Sequence, residues 1–113
     1  MANSIVLSPI FEIRFKRLKK KFPTLESEFN EFAMVLLKNP TMGTLITENV
    51  YKIRIASTDK NSGKSGGFRV ITYVINKIEN ETEINMIIIY DKSEESSFNK
   101  NQIKTLIKNL DLI

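Results

Sequence analysis

The sequence predicts an α+β domain with a small, twisted, mainly antiparallel sheet, two N-terminal helices and a C-terminal helix. Two N-terminal stretches and the last part of the chain have apolar residues at helical spacing. Between them lie short segments rich in β-branched and aromatic residues, bounded by turn residues. The length of 113 residues fits one domain, residues 1–113, built around a single core.

The composition excludes several kinds of site. Without cysteine the chain has no disulfide or thiolate metal site, and without histidine it lacks the commonest acid/base group. Catalysis would therefore depend on Lys, Arg, Tyr or carboxylates. Because no acidic residues have metal-ligand spacing, we expect no metal and no small-molecule cofactor. The net charge of +4 modestly favours polyanionic partners.

The apolar segments are too short for targeting or membrane insertion. No basic region precedes the first apolar residues, as a signal peptide would require, and no eighteen apolar residues run together. We therefore expect a cytoplasmic protein without a membrane partner.

The N-terminal part predicts a strand over residues 3–8 and then a helix from Pro9 to about Lys21. Ser8 would cap this helix, with proline at its first position. One apolar stripe follows it, formed by Phe11, Phe15, Leu18 and Phe22.

The remaining faces of this first helix are basic. They are either a solvated surface or an RNA-contacting one, and they consist of Arg14, Lys16, Arg17, Lys19, Lys20 and Lys21. Ile10 and Ile13 lie off the apolar stripe, so they either widen the core contact or face a partner.

A second helix is predicted from about Thr24 to Lys38, after the helix-breaking Pro23. Its apolar seam is formed by Leu25, Phe29, Phe32, Ala33 and Leu36. Two amphipathic helices joined by a short break favour an antiparallel hairpin packed on a sheet.

The rest of the chain predicts four strands and a helix. The strands are residues 44–47, 50–56, 68–76 and 83–90, and the last is apolar enough to be covered on both faces. The helix begins near Asn99, which forms a capping box with Gln102.

A basic pattern marks the strand 50–56. Successive strand residues point to opposite faces, so Lys52 and Arg54 share one face while Tyr51, Ile53 and Ile55 share the other. The apolar face suits a core, and the basic face suits an anion, for which a phosphodiester backbone is the leading candidate.

The segment GKSGG, residues 63–67, resembles the end of a phosphate-binding Walker A loop. That motif needs an earlier glycine, where this chain has Thr58, and a helix directly afterwards. A strand is predicted here instead, which argues against a nucleotide triphosphatase. The glycines either only form a turn or let Lys60 and Lys64 hold a phosphate backbone.

Six side chains around these strands suit metal-free RNA cleavage: Lys52, Arg54, Lys64, Arg69, Tyr90 and Lys92. Attack by a 2′-hydroxyl needs a base, cations that stabilise the charge on phosphorus, and an acid for the leaving 5′-oxygen. Crowded lysines can have a lowered pKa, arginines bind phosphate bidentately, and tyrosine can stack on a base or assist proton transfer. The same set also describes a passive RNA-binding face.

The segments YKIR, GGFRVITYVIN and IIIYDKSE, with a terminal helix, resemble the RelE/ParE superfamily of bacterial toxins, most closely its HigB-like branch. The resemblance is clearest over residues 50–95. It implies a RelE-like fold and a type II toxin with a cognate antitoxin. It also implies an mRNA interferase, an endoribonuclease that cleaves mRNA on the ribosome.

Lys52 and Arg54 match the two basic residues of the family's basic strand. Arg69 matches the arginine of its G[YF]R strand, and Lys92 matches the lysine that follows its last strand. The chain departs from the RelE pattern at Ser93, where that pattern has arginine, and offers Phe98 where it has tyrosine.

These departures leave the acid/base assignment open among Tyr90, Tyr73, Lys64 and Lys92. We predict Arg54, Lys64, Arg69, Tyr90 and Lys92 as catalytic residues, and Lys52, Lys60 and Tyr73 as RNA-binding ones. The alternatives are a ParE-like inhibitor of a protein target such as DNA gyrase, or a decayed toxin that keeps only antitoxin binding.

Overall fold

The computed structural model describes residues 3–57, 67–77, 80–92 and 98–113. In this part of the chain, three helices and a five-stranded mixed sheet form an α+β fold. The elements are β1 (Asn3–Leu7), α1 (Pro9–Lys21), α2 (Leu25–Lys38), β2 (Thr44–Thr47), β3 (Val50–Ile55), β4 (Phe68–Asn76), β5 (Thr82–Asp91) and α3 (Lys100–Asn109). Each element was predicted from the sequence, with ends within about one residue of those observed, except that only the start of α3 was predicted.

The sheet has the strand order β1-β5-β4-β3-β2. β1 runs parallel to β5, and the other neighbouring strands are antiparallel, which confirms a mainly antiparallel sheet. β5 lies between β1 and β4, and its residues from Ile84 to Asp91 are all buried. The prediction of a central strand covered on both faces is therefore confirmed.

Two hydrophobic cores cover the two faces of the sheet. The first core packs α1 and α2 against alternate residues of the strands, including Ile53, Val70 and Ile89. The second core packs α3, through Ile103 and Ile107, against the residues that point the other way. Because β4 and β5 contribute side chains to both cores, close packing on both faces fixes their position relative to the helices.

A serine ties the start of α1 to an irregularity in the sheet. The register of β4 and β5 shifts between Ile71 and Thr72, which leaves Ile87 as the extra residue of a bulge. The Ser8 hydroxyl donates to the Ile87 carbonyl at 2.7 Å and accepts from the Phe11 backbone N–H at 3.0 Å. This bond confirms Ser8 as the N-cap of α1.

α1 continues the edge of the sheet where β1 ends. β1 pairs with β5 only as far as Leu7 opposite Met86, and α1 begins two residues later and packs beside the rest of β5. Phe11 belongs to the first core, whereas Ile10 packs against the second. The off-stripe Ile10 therefore widens the core contact, while Ile13 remains 72% exposed.

The start of α3 has the predicted capping box. The Asn99 side chain accepts from the Gln102 backbone N–H, and the Gln102 side chain accepts from that of Asn99, both at 2.8 Å. Phe98, just before the cap, packs against the second core that contains Ile103. This agrees with the hydrophobic staple expected for the helix start.

Candidate nucleic-acid interface

The register of three neighbouring strands brings two arginines and a tyrosine side by side. Arg54 on β3 lies opposite Arg69 on β4, and Arg69 lies opposite Tyr90 on β5. We call these three residues the arginine row. Ile53 and Ile55 belong to the first core, so Arg54 points to the other face, as the alternation predicted.

Exposure decreases along the arginine row. Arg54 is exposed, whereas Arg69 is 3% exposed and Tyr90 only 1% exposed. The face that the sequence predicted as basic is thus also a core face, since Tyr90 belongs to the second core together with Ile71 and Ile88. The row is open to solvent at its β3 end.

Arg69 is an incompletely satisfied buried cation. Its Nη1 donates to the Phe68 carbonyl at 3.3 Å, and its buried Nη2 has no hydrogen-bond partner within the described ranges. Burial lowers the pKa of Arg69, the charge of Arg54 lowers it further, and Tyr90 acts in the opposite direction. The guanidinium nevertheless stays charged at any physiological pH. An anion between the two arginines would relieve both the missing hydrogen bond and the charge repulsion.

Tyr90 is held by Phe98. Their ring centroids lie 5.0 Å apart at an interplanar angle of 69°, an edge-to-face contact. The guanidinium carbon of Arg14 also lies over the Phe98 ring, 6.0 Å from its centroid. Because Tyr90 is buried, this geometry favours a residue that fixes the surroundings of Arg69 over one that contacts a substrate directly.

The two other predicted cations of this region lie close to the row. Lys52 is half-buried on β3, two residues before Arg54 and therefore on the same face. Lys92 is exposed and follows the last residue of β5. The structure thus brings Lys52, Arg54, Arg69, Tyr90 and Lys92 to one region.

Tyr73 lies apart from this group. It is four positions beyond Arg69 on β4, a distance of about 13 Å along a strand. It packs against the second core and lines a cavity of about 440 Å³ together with Lys104 and Ile107. Its predicted role in RNA binding would need contacts beyond those at the arginine row.

The glycine-rich loop is described only at its last residue. Lys60, Lys64, Ser93 and most of the GKSGG segment lie outside the described residues. A Cβ on Gly67 would collide with the backbone carbonyl oxygen of Ile55, so this position requires glycine. β4 begins at the next residue, Phe68, so a strand follows the segment and not the helix of a Walker A motif.

Sequence reasoning did not identify Arg14 or Asp91 as neighbours of the site. Asp91, which is 2% exposed, lies opposite Phe68 at the end of β5. Arg14 shares the helical spacing of Ile10, the residue that lies off the main stripe of α1. Arg17 and Lys21 share that spacing, so it separates Arg14 only from the basic residues on the other sides of the helix.

No protein-family model matches the chain. In the described part of the chain, no group of three acidic, histidine or cysteine side chains could hold a metal ion. None of its helices combines the length and the hydropathy needed to cross a membrane. The resemblance to the RelE/ParE toxins accordingly stays a prediction.

Proposed function

We propose that the chain is a metal-independent endoribonuclease that cleaves mRNA on the ribosome, the toxin of a type II toxin–antitoxin pair. The observation that carries the proposal is the arginine row, in which the buried Arg69 lies beside the exposed Arg54. A buried guanidinium with an unused donor is costly unless it serves a ligand. The resemblance in the basic strand and the G[YF]R strand supplies the choice of RNA.

In the proposed reaction the arginine row holds the scissile phosphate. Arg54 and Arg69 donate to its non-bridging oxygens and stabilise the additional negative charge that develops when the 2′-hydroxyl attacks phosphorus. A base removes the hydroxyl proton, the bond to the 5′-oxygen breaks, and an acid protonates that oxygen.

Two lysines flank the arginine row. Lys52 lies on the same strand and face as Arg54, and Lys92 directly follows β5, two residues after Tyr90. Both side chains end in an amine, whereas a guanidinium stays charged throughout and is unsuited to proton transfer. We assign the proton transfers to this pair, with Tyr90 as a positioning residue that packs beside Arg69.

A decayed toxin that only binds its antitoxin is the second candidate. The observation that favours it is the burial of Tyr90, the tyrosine nearest to the arginines, which removes a hydroxyl from reach of a substrate. The two candidates differ in whether expression of the chain alone changes cellular RNA.

The test is induced expression of the chain without its antitoxin, followed by mapping of mRNA 5′ ends. We compare the wild type with Arg54→Ala and Arg69→Met, and use Lys108→Ala, an exposed cation at the end of α3, as the matched control. The nuclease predicts growth arrest with new ends inside coding regions, lost in both arginine variants and retained in the control.

Other outcomes would point elsewhere. Growth arrest without new 5′ ends would indicate a protein target such as gyrase. Damaged DNA together with intact transcripts would support that target. Soluble protein without arrest would favour the decayed toxin. Arginine variants as growth-inhibitory as the wild type would rule out the arginine row as the source of activity.

A further inference from the structure

The cavity beside Tyr73 lies on the same face of the sheet as the arginine row. Val50, Lys52 and Arg54 share one face of β3 because strand residues alternate. The register with β4 is continuous from Val50 opposite Tyr73 to Arg54 opposite Arg69. Since Val50 and Tyr73 both line the cavity, the cavity and the arginine row lie at two ends of one strip of the sheet. The half-buried Lys52 lies between them.

The residues that line this cavity are of two kinds. The apolar and aromatic ones are Val50, Tyr73, Ile107 and Ile113, and the polar ones are Thr47, Glu48, Asn49 and Lys104. Mainly apolar walls with a few polar groups are typical of small-molecule sites. The cavity volume of about 440 Å³ falls within the range of roughly 300–1,000 Å³ for such sites. The lining therefore suits a ligand group that is flat and apolar on its faces and polar at its edge.

The charges of the lining argue against a phosphate in this cavity. Glu48 and Lys104 have opposite charges, so a phosphate here would face a carboxylate. The arginine row, in contrast, consists of two cations and a tyrosine. An uncharged ring with hydrogen-bonding groups at its edge fits the cavity better, and Tyr73 offers an aromatic ring on which it can stack. In an RNA strand, that group is a nucleobase.

We infer that this cavity binds a nucleobase of the RNA strand whose phosphate lies at the arginine row, and that Glu48 selects bases with an amino group. The inference rests on the proposed function and adds a base-binding subsite to it. The base stacks on Tyr73, and its amino group donates to the Glu48 carboxylate, which can only accept. The Lys104 ammonium donates to an acceptor at the edge of the same base. Adenine, cytosine and guanine have an amino group, and uracil has none.

The spacing along the strip suits a strand that reaches both sites. Tyr73 is four positions from Arg69 on β4, which is about 13 Å. Lys52 lies two residues from Val50 and two from Arg54, so it can contact the backbone between the two ends. A groove for single-stranded nucleic acid combines cations that follow the backbone with aromatic rings that stack on bases. Both components are present along this strip.

Titration of the isotope-labelled full chain with single nucleosides tests the cavity without any phosphate contact. The probes are two matched pairs, cytidine with uridine and guanosine with inosine, and only the first member of each pair has the amino group. Backbone N–H chemical shifts of Asn49, Val50 and Tyr73 report binding at the cavity. We expect the amino-bearing member to bind about tenfold more tightly in at least one pair, and we expect Glu48→Ala to abolish that difference.

Variants at the other lining residues separate stacking from charge. Tyr73→Leu should weaken nucleoside binding about tenfold, whereas Tyr73→Phe keeps the ring and should bind like the wild type. Lys104→Gln should weaken binding several-fold. Its matched control is Lys108→Gln, which removes the same charge one helical turn further along α3, outside the cavity lining that the structure describes. Urea midpoints check that each variant is folded.

A second arm distinguishes a base in RNA from a free nucleotide. The probe is a six-nucleotide strand of cytidines with 2′-deoxy sugars, which cannot be cleaved by 2′-hydroxyl attack. If the cavity and the arginine row act on one strand, it should bind much more tightly than the nucleoside. Arg69→Met and Glu48→Ala should each remove part of that gain.

Equal binding within both nucleoside pairs, or shifts that leave the cavity residues unaffected, would overturn the inference. A strand that binds no more tightly than its nucleoside would overturn the assignment to RNA and indicate a site for free nucleotides. The proposed function is tested separately by the mapped mRNA 5′ ends. New ends that are lost in Arg69→Met would uphold it even where the nucleoside titration fails, and absent ends would overturn it even where nucleosides bind.

Discussion

Replacing Arg69 by methionine should make the protein more stable and inactive at the same time. Arg69 is 3% exposed, makes one long hydrogen bond through Nη1 to the Phe68 carbonyl, and buries an Nη2 group without a partner in the described part of the chain. Methionine has a similar length and no charge, and it fits irregular core sites. The substitution therefore removes a buried cation without leaving a large cavity.

The size of the effect follows from two opposing contributions. The lost hydrogen bond contributes about 1–1.5 kcal/mol to the free energy of unfolding. Replacing a buried charge by a well-packed apolar side chain commonly stabilises by about 1–4 kcal/mol, a net figure that already includes the loss of such a hydrogen bond, and a single charge with one hydrogen bond falls in the lower part of that range. We expect Arg69→Met to raise the unfolding free energy by about 1–3 kcal/mol, or the melting temperature by about 4–12 °C at roughly 4 °C per kcal/mol for a chain of this length.

Urea denaturation of the purified variants tests this prediction, with the midpoint compared at unchanged m-value. Arg54→Met is the matched control, because Arg54 belongs to the same row but is exposed, and its stability should stay within about 0.5 kcal/mol of the wild type. A loss of about 1 kcal/mol or more in Arg69→Met would refute the reasoning, since it would mean that the folded protein already compensates the charge of Arg69.

Two further predictions concern the framework of the site. Ser8→Ala should lower the unfolding free energy by about 2–3 kcal/mol, since it removes a helix cap and leaves the bulge carbonyl of Ile87 unbonded. Urea midpoints check this, with the exposed Ser4→Ala as the nearly unchanged control. Lys77 and Glu83 form an ion pair at 2.7 Å that lowers the pKa of Glu83 and raises that of Lys77. Near neutral pH, the wild type should be more stable than Glu83→Gln. This difference in unfolding free energy should disappear when the pH falls below the lowered pKa of Glu83 or rises above the raised pKa of Lys77. A stability difference that does not change with pH would contradict the prediction.

The order and the limits of the elements could be predicted because local signals agreed with the packing. Ser8-Pro9 and the pair Asn99 and Gln102 gave two helix starts, and both caps are present in the structure. The apolar run of β5 predicted a strand covered on both faces, and both cores contact it. The parallel pairing of β1 with β5 was beyond local reasoning, because no short-range pattern specifies which distant strand a segment joins.

The sequence predicted which strand and which face of the sheet carry the site residues, but not how deeply each side chain is buried. Alternation placed Lys52 and Arg54 together, and the antiparallel register then added Arg69. The burial of Arg69 and Tyr90 depends on how α3 and Phe98 pack over that face, which is a long-range property. The contact of Arg14 with Phe98 likewise joins a helix to a segment that lies far away in the sequence.

Arg69 remains buried because its neighbours on β4 supply more stability than its charge costs. Phe68, Val70 and Val74 are each at most 3% exposed, and a fully buried side chain of this kind contributes about 1.5–3 kcal/mol. Together they provide roughly 5–9 kcal/mol, which exceeds an effective penalty of several kcal/mol for one buried ion. Phe68 and Val70 belong to the first core, on the face opposite the arginine row. Apolar residues on the opposite face of the sheet therefore supply much of the free energy that keeps the incompletely hydrogen-bonded Arg69 guanidinium buried. These residues do not contact the ligand proposed for the arginine row.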